Sequence, residues 1–212
     1  MTKNLDISII SPIYNEVENI DPFIKSVEET MSAQNWSWEL ILIDDGSNDG
    51  SLEKLKSISK EKTNIRVLAL SKNFGQTPAI QAGFDNANGK HYVTLDSDLQ
   101  NDPKDIPLII NKLIHEDLDL VVGWRKKRKD NFFMRNLPSM IANNLIGMIT
   151  KVKLNDYGCS LKAYNSEILK EVKLYGEMHR FIPAWMATKI PPHKIDEVEV
   201  SHHPRIAGES KY

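Results

Sequence analysis

Leu40-Ile41-Leu42-Ile43-Asp44-Asp45-Gly46-Ser47-Asn48-Asp49-Gly50-Ser51 is the stretch from which the fold is read. Four apolar residues follow one another without polar alternation, as in a strand buried on both faces of a parallel sheet. Turn residues come next, and then Leu52, Leu55 and Ile58 recur at helical spacing as far as Lys60. Asp49 and Ser51 fit a turn and a helix cap. Neither role accounts for Asp44 and Asp45, two adjacent carboxylates closing an apolar strand.

The same unit repeats on either side. A strand is predicted at 7–10 and a helix at 17–31, with Ile20, Phe23, Ile24 and Val27 on one face. Strands follow at 65–70, 92–95 and 118–122, separated by helices at 78–87 and 103–115, the last opening on a proline, where that residue is tolerated. A late strand is expected at 195–200, after the Pro191-Pro192 turn. Apolar strands alternating with helices predict a doubly wound α/β fold, a mostly parallel sheet with helices on both faces. Such sheets place ligands at the carboxyl ends of their strands. Here four consecutive strands end in polar residues: Pro12 to Glu16, Asp44 to Ser47, Asn73 to Gln76, and Asp96 to Asp98.

Length and composition bound the rest. The chain has 212 residues, 41% hydrophobic and 26% charged, enough for one well-cored domain and unlike a disordered segment. A formal net charge of -2 gives no global pointer to nucleic acid. Cys159 is the one cysteine, so no internal disulfide forms, and it reads as a packed small residue. No signal peptide and no apolar run of about 20 residues is visible, so the chain is expected to be soluble or peripheral at a membrane. Arg125-Lys126-Lys127-Arg128-Lys129 form a basic run, and 132–150 carries an amphipathic helical pattern interrupted by Pro138. That pattern fits a core-facing helix or one lying in a membrane interface. His202-His203 lack further ligands at zinc spacing.

Asp96-Ser97-Asp98 puts two hard oxygen donors at a strand end, on one side of the chain if the alternation continues, with Gln100 in the same parity. Magnesium and manganese sites are built from one or two carboxylates completed by phosphate oxygens and water.

Taken in order, Pro12-Ile13-Tyr14-Asn15-Glu16, Asp44-Asp45-Gly46-Ser47 and Asp96-Ser97-Asp98-Leu99-Gln100 resemble the family 2 glycosyltransferases of GT-A fold. Gly123-Trp124-Arg125 with Arg128 and Asp130, Asp156-Tyr157-Gly158-Cys159, Glu177-Met178-His179-Arg180 and the closing His203 to Tyr212 narrow the resemblance to the polyprenyl-phosphate glycosyltransferase branch. That branch includes dolichyl-phosphate mannose synthases and undecaprenyl-phosphate glucosyltransferases. The resemblance implies that Pro12, Tyr14 and Glu16 flank base and ribose, with Asp44 or Asp45 completing the pocket and Gln76 and Asp96 beside the nucleotide-sugar. It implies a magnesium or manganese ion on Asp96, Asp98 and Gln100. Arg125, Arg128, Arg135, Arg205 and Lys211 would meet donor or acceptor phosphate, and Asp156, Asp98 and Arg125 would be catalytic. One departure is Asn101, which stands where relatives often have aspartate; it is expected to shift a helix cap rather than the chemistry.

The expected reaction is inverting transfer of a hexose from a nucleoside-diphosphate sugar, UDP favoured, to a polyprenyl phosphate at the cytoplasmic membrane face. The chain is expected to be peripheral there as it stands, or integral through a transmembrane region after residue 212, with a homo-oligomer left open. A phosphate monoester has a second pKa of about 6, so the acceptor is its own nucleophile. Asp156 is therefore expected to orient rather than to act as a base. A saccharide or polymer acceptor, a nucleotidyltransferase and a non-catalytic nucleotide-binding module are the rival readings. The second would show a glycine-rich phosphate loop, and residues 11–15 hold no glycine. A nicotinamide-dinucleotide reading fails for want of its glycine fingerprint.

Overall fold

The computed structural model describes residues 5–126, 152–169, 173–174, 176 and 178–205. The basic run beyond Lys126, the amphipathic segment at 132–150, and Arg128, Arg135, Glu177 and Lys211 lie outside the described residues.

Seven strands form one sheet: β1 Leu5–Ile13, β2 Trp38–Asp44, β3 Ile65–Ala69, β4 Gly89–Thr94, β5 Leu120–Trp124, β6 Lys162–Asn165 and β7 Ile195–Glu199. Their spatial order is β3-β2-β1-β4-β6-β5-β7. All pairings are parallel except those of β6, which runs antiparallel to β4 and β5. Among the described residues the α-helices are α1 Ile20–Ser32, α2 Ser51–Glu61, α3 Gln76–Asn86, α4 Ile106–His115, α5 Ser166–Leu169 and α6 Ile182–Met186. No helix among the described residues is long and apolar enough to cross a membrane.

The sheet is buried on both faces, as its unbroken apolar strands require. On one face Ile10 and Ile43 meet α3 at Gly83, where an added Cβ would fall 2.3 Å from Ile10 Cγ2. The alternate residues Ile7, Ile9, Leu40 and Leu42 point the other way and are equally buried. The expected mostly parallel α/β sheet is thus observed.

Differences from the sequence reading are local and have physical reasons. β1 runs on through Pro12, two residues past the last β4 partner, Thr94 opposite Ile10. Pro12 pairs only with β2, so its missing N–H leaves no β4 bond unmade. Residues 103–105 form a 3-10 turn before α4, capped by Asp102, whose side chain accepts from Lys104 N at 3.0 Å. β6 was not foreseen. Its four residues slot between β4 and β5 and bring the 156–160 loop to the carboxyl edge of the parallel strands.

Candidate functional site

The polar strand ends do converge. The loop after β1 is tied to the loop after β2: Asn15 N donates to Ser47 Oγ at 3.0 Å, Glu16 N to Ser51 Oγ at 3.1 Å, and Val17 N to Asp49 Oδ2 at 3.1 Å. Ser51 is therefore the first residue of α2 and a cross-link to the first loop, while Gly50 in left-handed geometry takes the cap position. Asp49 does make the expected turn, accepting from Ser51 N at 2.9 Å. Asn15 itself has a φ of 53°, in a region where asparagine is among the better-tolerated residues.

The two aspartates after β2 have different environments. Asp45 accepts from Phe74 N at 2.8 Å and from Gly75 N at 2.9 Å, which fixes the loop ahead of α3. Gly46 (φ +73°) makes that approach possible, because a Cβ there would lie 2.4 Å from the Lys72 carbonyl carbon. Asp44 is fully buried, and its Oδ2 accepts from Ser47 N at 3.2 Å. Its Oδ1 has no hydrogen-bond partner among the described residues. A buried acceptor left open is costly unless something binds it.

Asp96 and Asp98 come together by a route other than strand alternation. β4 stops at Thr94, and the chain turns through Leu99 at a φ of 59°. A buried leucine in the left-handed region is strained, and such strain is found where the surroundings fix it for function. Asp98 Oδ1 accepts from Gln100 N at 3.1 Å and closes the turn. Gln76, at the head of α3, donates to Asp96 Oδ1 at 2.7 Å. Burial, then the Asp98 charge, push the Asp96 carboxyl up to about 6. Among the described residues no cluster of three or more His, Cys, Asp or Glu side chains is placed to hold a metal ion. The donor set is thus two carboxylates with Gln100 nearby, which suits a cation that draws its remaining ligands from phosphate and water.

Cations arrive from the second half. Arg125 closes on Asp156 in a bidentate pair, Nε to Oδ2 at 2.7 Å and Nη2 to Oδ1 at 3.0 Å, with side chains only 11% and 13% exposed. Burial opposes the Arg125 charge, but the Asp156 bonds more than offset it and hold the guanidinium above its ordinary range. Arg205 bridges Glu16 Oε1 and Asp98 Oδ2, each at 2.9 Å. Asn101 binds Ser160 Oγ at 2.8 Å and pairs with His202, so its effect reaches past the helix cap to the 156–160 loop.

Lys162 has no place in the sequence reading, and His179 stands there only as part of the Glu177 to Arg180 segment. Lys162, on β6, is buried, and its ammonium donates to the Cys159 carbonyl. His179 Nδ1 lies 2.6 Å from Thr77 Oγ1, tying the 178–181 turn to the start of α3 next to Gln76. The His179 contact spans 102 residues, whereas that of Lys162 spans three and its burial comes from the placement of β6 between β4 and β5.

Known proteins share this chain's family and fold. Residues 8–173 match the model of the family described as Glycosyl transferase family 2. The chain is 52% identical over 211 residues to a dodecaprenyl-phosphate galacturonate synthase of Rhizobium johnstonii, covering 99% of this chain and 62% of that protein. It is 37% identical over 207 residues to an undecaprenyl-phosphate 4-deoxy-4-formamido-L-arabinose transferase of Salmonella choleraesuis, covering 97% and 62%. The chain therefore spans a little under two thirds of these relatives. Among solved structures it resembles glucosyl-3-phosphoglycerate synthase from Mycobacterium tuberculosis in complex with Mn2+, UDP-glucose and glycerol 3-phosphate. The TM-score is 0.72 at 19% identity, over 95% of this chain and 73% of that one.

Proposed function

This chain belongs to glycosyl transferase family 2, and on that premise we propose that it transfers a sugar from a UDP-sugar to a polyprenyl phosphate at a membrane surface, with a divalent cation. The observation that carries the proposal is the single carboxyl edge on which the open Asp44 Oδ1, the Asp96–Asp98 pair and the Arg125 and Arg205 guanidiniums meet. The acceptor class is supported by two relatives whose names specify polyprenyl-phosphate products or acceptors. Galacturonate, from the name of the first, is the sugar to test beside plain hexoses.

Each residue has a role in this reading. Asp44 Oδ1 accepts from the base or a ribose hydroxyl, while Pro12, Tyr14 and Glu16 border the pocket. Asp96 and Asp98, with Gln100, hold magnesium or manganese, which when bound neutralises charge on the diphosphate leaving group. Gln76 orients Asp96. A phosphate oxygen of the acceptor attacks the anomeric carbon, the carbon–oxygen bond to UDP breaks, and the centre inverts. The ionised acceptor has no proton to remove, so Asp156 serves by fixing Arg125, whose guanidinium faces phosphate. Arg128, Arg135 and Lys211 are proposed as further phosphate contacts.

The test offers radiolabelled UDP-hexoses and UDP-hexuronates with manganese and a polyprenyl phosphate in detergent. Label passing into an organic-extractable, acid-labile product is expected. Label transferred only to saccharides would overturn the acceptor assignment.

A further inference from the structure

Residues 201–205 run as a strap along the turn that carries the carboxylate pair. Ser201 N donates to Asp105 Oδ2 at 2.6 Å, His202 bridges Asn101, and His203 N donates to Gln100 O at 2.8 Å. His203 Nε2 lies 3.2 Å from Asp102 Oδ2. At the end of this strap Arg205 is aimed inward, Nη2 on Asp98 Oδ2 and Nη1 on Glu16 Oε1, both at 2.9 Å. These are not surface pairings: the side chains of Glu16 and Asp98 are 8% and 10% exposed, and that of Arg205 is 20% exposed.

The other oxygen of Asp98 is engaged with Gln100 N in the turn, so Oδ2 is the oxygen left to face a ligand. A magnesium ion binds carboxylate oxygen at about 2.0–2.1 Å. A guanidinium nitrogen at hydrogen-bond distance from the same oxygen then faces a doubly charged neighbour a few ångströms away, in a site where little water screens the repulsion. A metal on Asp98 Oδ2 therefore competes with Arg205 for the charge of that oxygen and weakens the ion pair.

We infer that Arg205 is the resident cation of the metal site, competing with the divalent ion for Asp98, and that metal entry releases the guanidinium toward the donor's diphosphate. The inference rests on the proposed metal role of Asp96 and Asp98. It makes Arg205 a positioning residue that links two binding events: metal alone must displace an ion pair, whereas metal arriving with a diphosphate gives the displaced guanidinium a new anionic partner. Because such coupling is reciprocal, each ligand tightens the other by the same factor, typically about 5- to 150-fold. The site thereby favours metal and nucleotide together over metal alone.

Manganese binding to the full chain, followed by loss of the free-ion EPR signal with and without UDP, tests this independently of turnover. Arg205→Gln is expected to bind manganese alone about 10-fold more tightly than the unaltered protein and to show a smaller tightening by UDP, within the usual range of such couplings. Arg205→Lys, which keeps a charge but cannot bridge two carboxylates in fork geometry, is expected to fall between them. It also guards against misfolding of the neutral variant. Unchanged or weaker manganese binding in both variants, with the unaltered protein still binding the ion, overturns the exchange and leaves the metal site standing. No manganese binding in any of the three overturns the metal assignment and the exchange with it.

Discussion

The two halves of the site differ in the charge they supply and in how they reach it. Residues before position 100 deliver acids, namely Glu16, Asp44, Asp45, Asp96 and Asp98, each just beyond its own strand or close to its end. Residues after position 120 deliver the cations Arg125, Lys162 and Arg205, positioned by the inserted antiparallel strand β6, the parallel edge strand β7 and the strap that follows it. The first half is a local construction, where each carboxylate follows from its strand. The second is non-local, and its guanidiniums take their geometry from partners 31 and 107 residues away. The lesson is that an acidic edge is built early in the chain and is completed by charge from the other end.

Breaking the acidic side should cost the most. Asp98→Ala is expected to lower kcat about 100- to 1,000-fold, the scale of losing a main electrostatic contact to a leaving group. Its circular dichroism should stay unchanged. Asp156→Asn should lose clearly less; an equal loss would show that Asp156 does more than hold Arg125.

Breaking the cationic side should first show as stability. Arg125→Ala leaves Asp156 nearly buried without its bidentate partner, at a cost of about 3 kcal/mol. For a chain of this size that lowers Tm by about 6–12 °C in a thermal scan. A change of under about 2 °C would place the pair among surface bridges of little worth.

Asp44→Asn sharpens the contrast because it should separate binding from stability. It removes charge from a buried oxygen that has no partner among the described residues. The ligand-free Tm should hold or rise, while UDP affinity falls about 10-fold, as for loss of one hydrogen bond to a charged group. A lower ligand-free Tm with unchanged UDP affinity would make Asp44 structural.

The smallest effect concerns Lys162. Burial pulls its ammonium below the ordinary 10.5, opposed in part by its neighbours on the Cys159 side and by Asp156. A lysine with a depressed folded pKa carries a penalty at neutral pH, and this eases as pH rises from its folded value toward 10.5, where the unfolded chain holds more protons. Lys162→Met removes the titration. Denaturant melts should therefore show the unaltered protein gaining on the variant as the pH is raised toward 10.5. A difference that stays constant as the pH rises to 10.5 would mean that the ammonium is not penalised.

The first half was legible because periodicity and strand-end chemistry are local. The strands at β1, β2, β3 and β4 and the helices between them were placed within a few residues, and the carboxylates were named from their positions. Sequence did not distinguish Asp44 from Asp45, because the difference is made by the Phe74 and Gly75 amides that Asp45 accepts. Nor did it show the turn at Leu99, since a leucine gives no sign of left-handed backbone. Lys162-Ala163-Tyr164-Asn165 is too short and too mixed to read as a strand, and becomes one only between β4 and β5. Arg125, Asp156 and Arg205 were each named, but their pairings depend on that insertion and on the strap.

The central claim is a donor site in which carboxylates act through a divalent cation, and calorimetric titration of UDP into the chain with manganese or with EDTA tests it most directly. Binding that requires manganese, and that Asp98→Ala abolishes, is the predicted result. Equal UDP affinity in EDTA, unaffected by Asp98→Ala, would contradict the account.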